Sequence, residues 1–282
     1  MGNTKSGVAV RAVIYVILTI FAFLALFPVF ILVSRSFFTT SEITSVGAGI
    51  FPNDFSFSSY TDAFADPVLF SGIKNTLLIC LCSVVGVPLT AFMTAYAFTK
   101  VPFFGRKFRF TAGLCTIMIP GILLLLPVYK IFVDIGWFDT LLPLTIPSFF
   151  GGGIMNIFLI MQFLRGLPRD MYEAAEIDGA GTLRKMFQLS LPLIKPVIAY
   201  VAVTAFISSW NDIMRPLLYI QSEELYTINR FIYEKYLVTQ DIYESAPNVQ
   251  MAIGVVLMIP MVAIFIAFQK QLIEGIQLTG NK

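Results

Sequence analysis

Hydrophobic and polar positions alternate along this chain as long apolar runs separated by short charged stretches. The first run, Ala12 to Ser34, is long enough to cross a hydrocarbon core of about 30 Å at about 1.5 Å per residue. It exceeds the apolar core of a secretory signal and no clean small-x-small site follows it, so it reads as a span. Further runs at about 75–98, 110–132, 141–163, 197–220 and 251–268 predict six transmembrane helices in a single domain over residues 1–282. Pro120 and Pro127 interrupt the third run, and Pro147 with Gly151, Gly152 and Gly153 interrupts the fourth. Such breaks survive in lipid where neighbours or water satisfy the freed backbone groups, which predicts bent spans in a bundle. Residues 35–74 read as a polar loop with a short amphipathic helix around Tyr60 to Phe64.

One polar stretch stands apart, Leu167 to Pro196. Pro168 and Asp170 suit the start of a helix, and Asp170, Glu173 and Glu176 recur at intervals of three on one face with Met171, Ala174 and Ala175 beside them. Gly179 and Gly181 predict its end near Asp178, and Thr182 is placed to cap a second short helix through Leu189. Pro192 and Pro196 mark the return to a span. A charged helix–turn–helix between two spans cannot lie in lipid. It projects into water as an acidic knob of small residues.

With 57% hydrophobic and 13% charged residues, the composition excludes an ordinary soluble domain. A net charge of +2 gives no reason to expect nucleic acid. There is no histidine and no GxxxxGK[ST] phosphate loop, and Cys80, Cys82 and Cys115 all fall in apolar runs as packing residues. Neither paired carboxylates nor a nucleophile with its base nor a ligand cluster appears in the spans, so catalysis by this chain is rejected and no metal site is expected. Charge placement matters more than charge total. Lys5, Arg11, the four basic residues at 100–109, the five at 165–195, Lys270 and Lys282 put thirteen on one side. Arg35, Lys74, Lys130, Arg215, Arg230 and Lys235 put six on the other. The positive-inside rule then places both termini and the polar hairpin in the cytoplasm.

The fifth run carries a polar face. Tyr200, Thr204, Ser208, Asn211 and Arg215 follow one another at three or four residues, with Asp212 beside Asn211. An ionisable residue at the bilayer midplane costs roughly 2.5–3.5 kcal/mol on insertion scales and so faces a cavity or a partner. One reading makes Thr204, Ser208, Asn211, Asp212 and Arg215 the lining of a polar translocation path suited to sugar hydroxyls. The other pairs Asp212 with Arg215 near the outer interface, where they only anchor the helix. The loop 221–250 carries Tyr226, Phe231, Tyr233, Tyr236 and Tyr243 among acids, a pattern that reads as an interfacial aromatic belt.

Glu173-Ala174-Ala175, three residues, Gly179, nine residues and Leu189-Ser190-Leu191-Pro192 resemble the EAA loop of ABC-importer permeases, with Leu189 where the pattern usually has isoleucine. SSYTDAF and IKNTLLI, IPGILLLLPVYKIFVDIGWFDT, SSWNDIMRPLLYI and the tail FQKQLIEGIQLTGNK are similar to MalG-type permeases of the carbohydrate-uptake branch. Arg215, the apparent length of loop 221–250 and the ending at Lys282 depart from that pattern. The resemblance implies an all-α membrane protein with the type I ABC importer permease fold and a cytoplasmic coupling loop at 167–196. It implies residence in the bacterial cytoplasmic membrane and a heterodimer with a MalF-like permease. A cytoplasmic ABC ATPase dimer, which binds the ATP and Mg²⁺, and an extracytoplasmic solute-binding protein complete the set. Glu173, Ala174, Ala175, Glu176, Asp178 and Gly179 would dock in the ATPase, and the resemblance gives the loop 221–250 a second reading, as a segment that reaches into the docked binding protein. The competing reading is an ion-coupled secondary transporter, against which stands the lack of an internal repeat.

Overall fold

The computed structural model describes residues 5–45, 47–238 and 246–280; Tyr243 and Lys282 lie outside them. In chain order the helices are α1 (Lys5–Arg35), α2 (Thr40–Ile43), α3 (Ser58–Ala65), α4 (Pro67–Lys100), α5 (Arg106–Cys115), α6 (Gly121–Asp134), α7 (Leu142–Thr145) and α8 (Ile154–Arg165). There follow α9 (Arg169–Ile177), α10 (Thr182–Arg184), α11 (Leu191–Leu193), α12 (Lys195–Trp210), α13 (Met214–Tyr219), α14 (Ile228–Ile232) and α15 (Pro247–Gly280). No strand occurs among the described residues. Among the described residues four stretches are long and apolar enough to cross a membrane: Val10–Arg35, Pro67–Lys100, Leu142–Arg165 and Pro247–Lys270. Two bent pairs raise the number to six if each is one span.

Both bends sit at prolines. The expected third span is two helices, Arg106–Met118 and Gly121–Asp134, meeting at 105°. Pro120 has no N–H to give and drives Ile119 into extended backbone (φ −84°, ψ 115°). The helix Thr182–Leu193 meets α12 at 81° across Ile194, two residues before Pro196. Inside that helix, Lys185–Ser190 winds as a π-turn between α10 and α11, and the Ser190 hydroxyl donates to the Lys185 carbonyl at 3.0 Å. The expected fifth span also ends early. Helix α12 stops at Trp210, and residues 211–213 separate it from α13.

The chain divides into two compact units. In the unit formed by 1–67 and 232–260, α1 presents exposed apolar side chains from Val10 to Phe30, the kind of surface that lipid covers. Several polar residues of this unit pair with one another. Buried Asn248 donates to the Phe38 carbonyl (3.2 Å) and to Ser59 Oγ (2.9 Å), and Thr40 donates to its Oδ1 (3.2 Å). Ser36 and Tyr60 hydroxyls meet at 2.8 Å, which fixes α3 near its predicted position, and Lys235 pairs with Asp66.

In the unit formed by 68–231 and 261–282, α4 buries a face of small residues, Gly72, Thr76, Cys80, Ser83, Val87, Ala91 and Ala95. Helices pack closely in lipid where side chains are this small, because dispersion rather than water exclusion holds them. At Gly72 an added Cβ would stand 3.3 Å from the Ile228 backbone, and the Thr76 hydroxyl accepts the Ile228 N–H at 3.0 Å. Further along, Ala91, Phe92, Ala95 and Tyr96 pack against Ile157, Ile160, Met161 and Leu164 of α8 and against Val197 and Val201 of α12. Of the loop aromatics in this unit, Phe231 is buried and the Tyr226 ring lies 4.6 Å from the Arg230 guanidinium; Tyr236, in the other unit, is also buried.

The turn after α6 is tied to the exit of α13 by Asp139. Its carboxylate accepts the Gln221 and Ser222 N–H groups at 2.8 and 2.9 Å and the Ser222 hydroxyl, and its own N–H donates to the Tyr219 carbonyl at 2.8 Å. The Ser222 hydroxyl, then the Ser222 and Gln221 amides, hold this carboxyl below its ordinary value. The stabilisation is therefore present above the unfolded value of about 3.9 and is lost as pH falls through the lower folded value. Asp139→Asn should lower the melting temperature of the detergent-solubilised protein at neutral pH. Thermal unfolding against pH should show the gap between variant and wild type closing below about pH 4; a gap that is constant with pH would exclude the carboxylate as the tie.

Candidate functional site: a hydroxyl-lined cleft and an exposed hairpin

A cleft of about 460 Å³ opens between α4, the segment 147–156 and α12. Thr204 and Ser208 of α12 and Arg215 of α13 line it, together with Ser83, Ser148, Asn156 and Ser209. Asn211 and Asp212 are not in the lining. Where α12 ends, the Asn211 side chain turns back to donate to the Ile207 carbonyl at 2.9 Å. Asp212 pairs with Arg215 Nε and accepts its backbone N–H at 3.3 Å. Pairing and lining thus coexist at Arg215, whose guanidinium is anchored from behind by Asp212 while the side chain reaches the cleft. The broken backbone is braced from α14. Asn229 donates to the Trp210 carbonyl at 2.7 Å, and Arg230 donates to the Pro216 and Leu217 carbonyls at 3.0 and 2.9 Å. These bonds satisfy groups that a helix break would otherwise strand.

The hydroxyls from α4 and the fourth span were not foreseen. Ser209 donates to Ser83 (2.7 Å), and Ser83 meets Ser148 (3.0 Å), so three buried side chains join α12, α4 and the turn before Gly151. The available signal was the recurrence of Thr76, Ser83 and Thr90 at every seventh residue of the second apolar run. Thr90 accepts the Gly151 N–H at 2.8 Å while donating to the Gly86 carbonyl at 2.6 Å. Gly151, Gly152 and Gly153 all take positive φ (89°, 58° and 100°). At Gly152 a Cβ would come within 2.3 Å of Val87 Cγ1, so the backbone of this loop rests directly on α4. The three glycines are therefore a fixed wall of the cleft.

The second feature is the hairpin. Helix α9 follows Pro168, and the chain leaves it through Asp178 and Gly179, whose φ is +76°. Gly179 N–H donates to the Glu176 carbonyl (3.0 Å) and Ala180 N–H to the Ala175 carbonyl (2.9 Å), the paired bonds of a Schellman ending. The second helix begins at Thr182 itself, with Gly181 in the capping position and no side-chain cap, so Thr182 does not act as the expected cap. Glu173, Ala174, Glu176, Asp178 and Gly179 are exposed and Ala175 is half-buried. Beside them stand Ile177 and Leu183, 88% and 67% exposed. Two large apolar side chains thus stand exposed among acids on the hairpin. Glu176 pairs with Lys185 at 3.1 Å, bracing the two arms. The Tyr172 hydroxyl meets Ser190 at 2.7 Å and its ring lies under Lys100 Nζ at 3.9 Å, which ties α9 to the π-turn and to the end of α4.

Residues 86–277 match the family model described as the binding-protein-dependent transport system inner membrane component. An arabinooligosaccharides transport system permease protein, AraQ, of Bacillus subtilis is 29% identical, covering 92% of this chain and 91% of the relative. An sn-glycerol-3-phosphate transport system permease protein, UgpE, of Brucella abortus is 28% identical over 93% of this chain and 94% of the relative. In fold, the chain matches a subunit of a bacterial ABC transporter involved in the import of the acidic polysaccharide alginate. The TM-score is 0.85 at 24% identity, covering 96% of this chain and 99% of that one.

Proposed function

Because the chain belongs to the family of inner-membrane components of binding-protein-dependent transport systems, we propose that it carries a sugar or oligosaccharide inward as the permease subunit of an ABC importer. The observation that carries this reading is the extent of the family match, which takes in the hairpin and all of the cleft lining except Ser83. The sugar is favoured by the arabinooligosaccharide and alginate systems among the relatives and neighbours, and by the hydroxyls, amide and guanidinium of the cleft. No observation favours the ion-coupled alternative. Six spans, with both termini and residues 167–196 in the cytoplasm of a bacterium, agree with the bias of thirteen basic residues against six and with two bent pairs counted as spans.

In this reading the hairpin sits in a cleft of the ATPase. Glu173 offers its carboxylate to a basic partner, Ala174 and Ala175 permit close approach, and Ile177 supplies apolar contact. Glu176 holds the arms, and Asp178 with Gly179 makes the turn. ATP and Mg²⁺ belong to the ATPase dimer, and hydrolysis takes place there. A second, MalF-like permease completes the path past Thr204, Ser208 and Arg215, with Asn211 and Asp212 shaping its rim, and an extracytoplasmic binding protein delivers the substrate. Reconstitution in liposomes with ATPase, second permease and loaded binding protein should give ATP-dependent accumulation of the sugar. Accumulation driven by an ion gradient in the absence of the ATPase would overturn the proposal.

A further inference from the structure

At the foot of the hairpin lies a second polar cleft, of about 340 Å³, lined by the ends of α4 and α8, by α9 and by the π-turn. Four basic side chains border it, Lys100, Arg165, Arg169 and Lys185, against two acids, Glu173 and Glu176. Lys185 is already answered by Glu176, and Lys100 rests on the face of Tyr172. Arg165 and Arg169 are exposed and form no salt bridge among the described residues. Arg169 is also the first residue of α9, where the helix dipole disfavours a cation. A surplus of positive charge gathered around a recess, with one member in an electrostatically poor position, fits an anion placed between the cations.

The level of the cleft identifies the anion's source. Lys100 is the last residue of α4 and Arg165 the last of α8, and both helices belong to membrane-crossing stretches. The recess therefore opens at the depth where lipid headgroups lie. We propose that it binds the phosphodiester of an anionic phospholipid, with Arg165 and Arg169 as its two principal donors and Lys100 beside them. Arginine suits this role because its planar fork donates two parallel bonds to phosphate oxygens. Bound there, the headgroup would bridge two span ends and the first turn of α9, stiffening the base on which the hairpin moves. The proposal does not depend on which leaflet faces the hairpin or on the identity of the transported sugar.

The test measures lipid bound to the purified, delipidated protein in nanodiscs of phosphatidylcholine doped with phosphatidylglycerol or cardiolipin. Wild type should retain the anionic lipids selectively. Arg165→Gln with Arg169→Gln should bind them about thirtyfold more weakly, while Arg184→Gln, which removes a hairpin cation outside this cleft, should bind as wild type does. Equal retention by the double variant would overturn the proposal, and so would displacement of the lipid by millimolar inorganic phosphate, which would make free phosphate the ligand. If the double variant does not fold, a photoactivatable phosphatidylglycerol on wild type decides. Adducts at residues 99–100 and 165–173 support the site, and adducts only elsewhere refute it.

Discussion

Gly179→Asp should uncouple the importer while leaving the membrane bundle assembled. Gly179 holds φ +76° at the end of α9, and a side chain forced into that region costs about 1–2 kcal/mol, with aspartate at the low end of that range. An added Cβ at this position would meet nothing within 4 Å, so the cost falls on the backbone and not on packing. The two bonds that close the turn, to the Glu176 and Ala175 carbonyls, are what a shifted φ would break. The closed turn should then fall in population about fivefold, and by no more than roughly 30-fold, which is the same energy expressed as an equilibrium. Glu173→Lys reaches the same end by charge reversal on the exposed face of α9. The measurement is stimulation of ATP hydrolysis by loaded binding protein in the reconstituted complex, with co-purification of the ATPase as the assembly control. Wild-type stimulation in both variants would show that the hairpin does not transmit the stroke.

The hairpin was legible in the sequence because its signals are local. Pro168 before α9 and Gly179 after it act through their own φ angles, and their effect does not depend on what lies across the bundle. The apolar helices were legible as apolar runs, but their internal geometry was not. Pro120 announces a break, yet the 105° between its two helices depends on what each half packs against. The run 197–220 carries Ser208, Ser209, Asn211 and Asp212, but beside Tyr200 and Thr204 these read as one continuous polar stripe, and Pro216 falls within the first turn of α13, where proline is tolerated. The stripe hid the interruption at 211–213, and a 3.6-residue period carried through it put Asn211 and Asp212 in the lining, where the cleft has Thr204, Ser208 and Arg215. Ser83, Ser148 and Ser209 were invisible for another reason. A single hydroxyl in an apolar run looks the same whether it bonds its own turn or reaches a neighbour, and only the packing of three segments brings these together. The three glycines were read as a place to bend, whereas their contact with Val87 makes them a wall.

The revised lining changes which substitution should stop transport. Ser208→Phe should abolish uptake. Ser208 is an exposed residue of α12 on the cleft, so a phenyl ring there enters the open volume of about 460 Å³ without displacing a packed neighbour. The buried hydroxyl chain runs through Ser209, Ser83 and Ser148, and the change at Ser208 leaves it intact, so the helices should assemble as before. Asn211→Leu is the informative contrast. The Asn211 side chain bonds the carbonyl of its own preceding turn and does not line the cleft, so its loss should cost stability of the helix end by about 1 kcal/mol and leave most of the transport rate. Uptake of radiolabelled substrate by proteoliposomes, normalised to complex recovered by size exclusion, separates the two. Equal loss in both would mean the path follows the whole polar face of the fifth run, as a continuous helix would have it. Undiminished uptake in Ser208→Phe would mean that the substrate passes elsewhere and that these hydroxyls serve only to hold α4, α12 and the glycine wall together.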